Sequence, residues 1–229
     1  MSGHAYTAAP MAARRMPKRA ASSSPASALV MACLCVLALA LVWVVAELVP
    51  SVQWRDAEAL HDFTLLSRPG VDGPAQFLLR LLSPLQFVLW GVALIAVALA
   101  QERARVAVAV AAIMGLAPLT SEELKPLLAH PHVQIGAVHI GAASWPSGHS
   151  TAAMALVMSA VLVTPPRLRL LVASIGALFA AAVGCALLIL AWHMPSDVIG
   201  GYLVASLWTA LAVCALRAAD RRWPPRSPA

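Results

Sequence analysis

Charge is the scarce commodity in this chain. Asp, Glu, Lys and Arg make up 11% of its 229 residues, against about 25% in soluble domains, too few to clothe an ordinary water-soluble surface. Cysteine is limited to Cys33, Cys35, Cys185 and Cys214, all inside apolar runs. Their spacing fits neither a disulfide framework nor a zinc-ligand set, so they read as small core or lipid-facing residues. Lysine is nearly absent: beyond Lys18, only Lys125 occurs. The formal charge of +6 is spread over short segments between apolar blocks. That spread argues against a nucleic-acid surface and suits the flanks that orient a membrane protein.

What is present is apolar. Hydrophobic residues reach 61% and the mean hydropathy is +0.80. Leu, Val and Ala gather in blocks long enough to cross a bilayer, which predicts an all-α polytopic helix bundle. A window of about 19 residues places six spans near 28–49, 84–101, 104–122, 149–164, 168–191 and 197–217. The predicted organisation is a disordered tail over 1–27, a six-span membrane domain over 28–217 and a basic tail over 218–229. A signal peptide is the rival reading of the first block. Its apolar run is too long for a typical signal core and lacks a small-residue cleavage site, so it is taken as a retained span.

The basic residues set the expected orientation. With the N-terminus inside, twelve Lys and Arg fall on the inner side: Arg14, Arg15, Lys18, Arg19, Arg103, Arg105, Arg167, Arg169, Arg217, Arg221, Arg222 and Arg226. Four fall outside: Arg55, Arg68, Arg80 and Lys125. This positive-inside bias predicts both termini in the cytoplasm. Segments 50–83, 123–148 and 192–196 then share the outer face. Within the first, Trp54, Ala57, Leu60, Phe63 and Leu66 recur at a spacing that suits a short interfacial helix, with Arg55, Asp56, Glu58 and Asp62 expected toward water.

Three polar islands on that face carry candidate chemistry. His193 and Asp197 in "HMPSD" lie about one turn apart if helix extends back through Pro195. A carboxylate on one imidazole nitrogen fixes the tautomer and makes the other a better nucleophile or base. The plainer alternative is that Ser196 or Asp197 caps the last helix. In "PSGH", Gly148 permits close backbone approach, Ser147 offers a hydroxyl and helix-start amides attract anions. His149 is placed to donate a proton to a leaving oxygen, although the same tetrapeptide also reads as a simple capped turn. Lys125 is suited either to pairing with phosphate or to neutralising Glu122 or Glu123.

Taken together, these motifs resemble the type 2 phosphatidic acid phosphatase superfamily, the membrane relatives of the vanadium-dependent haloperoxidases. "PSGH" at 146–149 is complete, "HMPSD" matches the end of the third family motif, and "LKPLL" matches the start of the first. The resemblance spans roughly 28–217. It implies His193 as the nucleophile on phosphorus, Asp197 as its orienting partner, and His149 as acid and then base. It implies Lys125, Ser147 and Gly148 as phosphate-binding groups, and chemistry that needs no metal or other cofactor. The implied substrate is a lipid phosphate or polyprenyl pyrophosphate, met at the outer face of the cell membrane.

Two departures stand out. His130 and His132 occupy the positions, five and seven residues past Lys125, where the family usually carries arginine. Ala186-Leu187 replaces the family's Ser-Arg pair. Histidine lacks the permanently charged bidentate fork of arginine. The histidines are therefore expected either to bind phosphate when protonated or to be replaced in that task by Arg55, Arg68 or Arg80. A catalytically degenerate protein that binds or senses a phospholipid head group is the alternative. A transporter fits less well, because such proteins carry ionisable groups in mid-span, whereas Glu47 lies near the outer end of its predicted span and the other charged residues stand at span edges. The sequence leaves the oligomeric state open.

Overall fold

Proline sets where many of these helices start. A computed structural model of the protein describes residues 24–136 and 138–223, so most of the expected N-terminal tail and half of the C-terminal one lie outside the described residues. Helices α1 (Pro25–Leu48), α2 (Pro50–Thr64), α3 (Pro69–Arg80), α4 (Pro84–Ala100) and α8 (Pro195–Arg222) all begin on proline. At the first helical position the missing N–H would have had no partner anyway, and the fixed φ suits the helix. The residue before proline is pushed to extended geometry, as at Val49, and the chain turns there between α1 and α2. The remaining helices are α5 (Ala104–Leu127), α6 (Gly148–Val163) and α7 (Arg169–Ile189).

The apolar blocks form helices where predicted, with differences in length. Among the described residues, four helices are long and apolar enough to cross a membrane: α1, α5, α8 and α7 with the short 3-10 turn before it. A fifth span arises if α3 and α4, bent by 53° at their junction, count as one. The expectation of six full spans is thus met by four or five, since α6 has only 16 residues, about 24 Å at 1.5 Å per residue. Just before it, the Pro146 carbonyl accepts a bond from buried Ser121 Oγ at 3.0 Å. Outward-facing surfaces of the long helices are apolar, with Leu37, Leu41, Val108 and Leu170 all exposed, as lipid contact requires.

The segment between the first two predicted spans holds α2, where a short interfacial helix was expected, and also α3, which was not. Ala57 and Leu60 of α2 and Leu79 of α3 are buried in one cluster with Val183 and Leu187 of α7. A second cluster joins α4, α5, α6 and α8 through Ala98, Val110, Ile113, Ala155 and Val204.

The two ends of the bundle differ in charge. At one end Arg103 donates to the carbonyls of Val163 and Leu162, Arg105 pairs with Asp220 at 2.8 Å, and Arg217 reaches Ser24 and Ser27. At the other end α1, α5 and α7 finish and α4, α6 and α8 begin. The polar islands meet there.

Candidate active site

The start of α8 turns on one carboxylate. Asp197 is fully buried. Its Oδ2 accepts from the Met194 amide at 2.9 Å and lies 3.1 Å from His193 Nδ1. The two sequence readings of Asp197 are therefore realised together, because one oxygen caps the helix and holds the imidazole. The helix does not extend back through Pro195. It begins there, and His193 reaches the carboxylate from the segment preceding the cap. An ionised carboxylate only accepts, so Nδ1 carries the proton and Nε2 is left with its lone pair.

Ser147 caps α6. Its Oγ accepts from the Ser150 amide at 3.4 Å, and its carbonyl accepts from Thr151 Oγ1 at 2.8 Å. The residue is fully buried, so its hydroxyl faces the helix rather than the cleft, a difference from the expected phosphate contact. Gly201 of α8 makes this close approach possible. A Cβ there would lie 2.5 Å from the Ser147 carbonyl oxygen and collide with Ser150 Oγ.

Lys125, Gly148, His149 and His193 line one cleft of about 410 Å³, together with Glu122 and the apolar Leu82, Phe87 and Met114. Lys125 stands in the last turn of α5 rather than in a loop. Its Nζ bonds Glu122 Oε1 at 2.7 Å, so the neutralising reading of this lysine holds while it also faces the cleft. A Cβ on Gly148 would come within 2.8 Å of Glu122 Oε1. The carboxylate, at the end of a flexible and mostly exposed side chain, covers the start of α6. His149 packs edge-on against Trp192, ring centroids 5.6 Å apart.

The substitute groups for the family arginines are placed differently from expectation. His130 and His132 do not line the cleft; their Nδ1 atoms lie 3.8 and 3.4 Å from Glu47 Oε2. His132 Nε2 is 2.8 Å from Ser144 Oγ. Arg55, Arg68 and Arg80 are exposed and none of them lines the cleft. Ala186 and Leu187 are buried in the α7 core.

Asp56 corrects the reading of α2. Instead of facing water, its carboxylate accepts from Ser196 Oγ at 2.6 Å and from the Ser196 amide at 3.2 Å, tying α2 to the start of α8. Its carboxyl is held above the ordinary Asp range, chiefly by burial and further by nearby Asp197, against the Ser196 bonds and His132, which pull it down. Two further groups were not assigned to the site from sequence. Trp192 gave no signal, being one interfacial aromatic among several. Glu47 did, since a carboxylate inside an apolar block is costly unless it has work to do.

Known proteins bear on this geometry. The PAP2 superfamily model matches residues 103–221, and the chain belongs to that superfamily. No curated protein matches. Among solved structures, the first transmembrane PAP2 type phosphatidylglycerolphosphate phosphatase from Bacillus subtilis is similar. The TM-score is 0.63 and the identity 19%, over 90% of this chain and 100% of that one. At that identity the likeness speaks for the fold. A multi-pass membrane protein of phosphatase fold is the class that fold and family define.

Proposed function

We propose that the protein hydrolyses a phosphomonoester or pyrophosphate on an amphiphilic lipid, at the extracytoplasmic face, through a phosphohistidine. The observation that carries this reading is the pairing of His193 Nδ1 with buried Asp197 while His193 and His149 line a single cleft. His193 Nε2 attacks phosphorus and the P–O bond to the lipid breaks. His149 gives its proton to the departing oxygen. Water then attacks the phosphorus, His149 takes its proton, the P–N bond breaks and inorganic phosphate leaves. Lys125 and the amides at the start of α6 hold the phosphoryl oxygens.

A lipid substrate is supported by a second cavity. About 470 Å³ of almost wholly apolar space lies between α4, α6 and α7, lined by Trp90, Leu94, Leu156 and Phe179 among others. Phe87 and Ala152 line the cleft, and Trp90, Leu94 and Leu156 follow them at three, seven and four residues, the spacing of one helix face. A tail can pass down this face while the head group sits at the cleft. The outer-face assignment is supported by the basic residues gathered at the opposite end. Candidate substrates are phosphatidic acid, phosphatidylglycerol phosphate and polyprenyl pyrophosphates.

The pairing of Lys125 with Glu122 favours one other reading, a degenerate protein that binds a phospholipid head group without turnover. Phosphate release by purified protein across a lipid-phosphate panel separates the two. The phosphatase reading expects release by the wild type and none by His193→Ala. Equal, background-level release from both across pH 5–8 refutes it.

A further inference from the structure

Behind the cleft, on the side of Asp197 away from the phosphate, lies a second cluster that the proposed hydrolysis does not use. Glu47 ends α1 with 1% of its surface exposed, and neither of its carboxylate oxygens has a hydrogen-bond partner. Asp197 Oδ1 is likewise buried and unpartnered. Asp56 stands nearby. Among the described residues, none of these three carboxylates is paired with a lysine or arginine. Buried carboxylate oxygens without a partner are costly for a fold to hold, and those of Glu47 and Asp197 here converge.

His132 completes the set. One donor atom each from Glu47, His132 and Asp197 lies within 4.8 Å of the others. His132 Nε2 is 2.8 Å from Ser144 Oγ, and the His132 side chain is 5% exposed. If Nε2–H donates to the serine, the Nδ1 lone pair points toward Glu47 Oε2 at 3.4 Å, two electron-rich atoms face to face. A cation between them resolves that conflict. A ring nitrogen held by a polar partner, with the other facing carboxylates, is the usual arrangement of a metal-ligating histidine. Ligands at about 2.0–2.2 Å from zinc stand roughly 3.3–3.6 Å apart around a tetrahedron, so the His132–Glu47 separation already fits, and Asp197, within 4.8 Å, closes by up to about 1.3 Å on binding.

We propose that Glu47, His132 and Asp197 form a binding site for one divalent transition-metal ion of the zinc type. An imidazole donor among carboxylates selects such an ion over magnesium or calcium. His130 bonds the Pro131 carbonyl through Nδ1 at 3.0 Å and so flanks the site without ligating, and its 34% exposed side chain marks the way in for the ion. The ion acts on Asp197, whose other oxygen holds His193, and so positions the imidazole without touching phosphate. It also supplies positive charge on the side of the site where two histidines stand in arginine positions. Metal binding itself does not depend on the phosphatase reading, and the readouts below report it whether or not the protein turns over lipid.

The test uses the full chain purified in detergent, stripped with a small chelator and titrated with Zn²⁺ alone, reading bound metal by elemental analysis and Tm by thermal unfolding. About one zinc per chain is expected. At about 100-fold excess over Kd, Tm is expected to rise by roughly 5–10 °C. Glu47→Gln and His132→Ala are expected to lose both. Glu47→Gln removes a buried charge and is expected to unfold no lower than the stripped wild type, so loss of the zinc response cannot be laid to misfolding. Asp220→Asn, at the far end of the bundle, is expected to keep the full response. No bound zinc, an equal shift with Mg²⁺, or an unchanged zinc response in Glu47→Gln and His132→Ala overturns the proposal; the first of these makes the cluster a histidinium–carboxylate pair.

Discussion

The Ser147 amide donates to the Asp197 carbonyl at 2.9 Å. This one backbone bond joins the segment that carries His149 to the segment that carries His193. The start of α6 and the start of α8 are therefore a single unit, held in register by main chain and made possible by Gly201, where the helices come closest.

That closeness has a stability consequence. Gly201→Ala places a methyl group against Ser150 and the Ser147 carbonyl, and overpacking of this kind costs about 1–3 kcal/mol. At roughly 2–4 °C per kcal/mol for a chain of this size, Tm measured by thermal unfolding in detergent is expected to fall by several degrees. Activity is expected to fall with it as the two segments lose register. An unchanged Tm shows that the helices have room to spare.

Glu122 is expected to act as an internal competitor for phosphate. It bonds Lys125 at 2.7 Å and is mostly exposed, so the pair itself is worth only about 0–1 kcal/mol. Glu122→Gln is expected to lower KM for a lipid phosphate by about 2–5-fold with little change in kcat. Lys125→Met removes a charged donor worth about 1.5–3 kcal/mol and is expected to raise KM by about 10–100-fold. Steady-state kinetics on one lipid phosphate measures both. A higher KM in Glu122→Gln means the carboxylate helps place Lys125 rather than competing with substrate.

The apolar cavity is expected to set tail preference. Leu156→Trp fills part of the space between α4 and α7. KM for a long-chain lipid phosphate is expected to rise several-fold, while hydrolysis of a short, water-soluble phosphomonoester is expected to stay unchanged. Equal effects on both substrates place the tail elsewhere.

Asp56 gives the fold a pH dependence of predictable sign. Burial holds its carboxyl above the ordinary Asp range, so the folded protein keeps that proton to higher pH than the unfolded chain does. The stability this contributes is fully present below the unfolded pKa of about 3.9 and is lost as pH rises from there through the folded pKa. Asp197 and His132 face the same group, and both remain in Asp56→Asn, which does not titrate at 56 but still offers an acceptor to Ser196. In chelator-treated protein, Tm of Asp56→Asn relative to wild type is expected to climb as pH rises from about 4. A constant difference removes Asp56 from the balance.

Helix positions were legible in the sequence because apolar blocks and prolines are local signals. The reach of α5 to Leu127 and of α8 to Arg222 was less so, because tertiary packing, as of Leu124 and Leu216 against the second core cluster, carries both helices toward or past the ends of their apolar blocks. The burial of Asp56 was hidden for a similar reason: periodicity on α2 assigns it to water, and only the arrival of Ser196, 140 positions later in the chain, turns it inward. His193, Asp197, His149 and Gly148 could be grouped from motif spacing and face. The partners of His130 and His132 could not, since nothing local connects Glu47 at the end of α1 to a segment more than eighty residues away. Proximity of that kind is a property of the packed bundle.

The most direct test of the central claim is to trap the phosphoryl group. Wild type, His149→Ala and His193→Ala are incubated with a lipid phosphate carrying labelled phosphorus, quenched in denaturant at alkaline pH and mapped by peptide. The expected result is acid-labile, base-stable label on His193 in wild type, none in His193→Ala, and label that persists in His149→Ala because its release lacks a base. Steady hydrolysis by His193→Ala, or label on any other residue, contradicts the account.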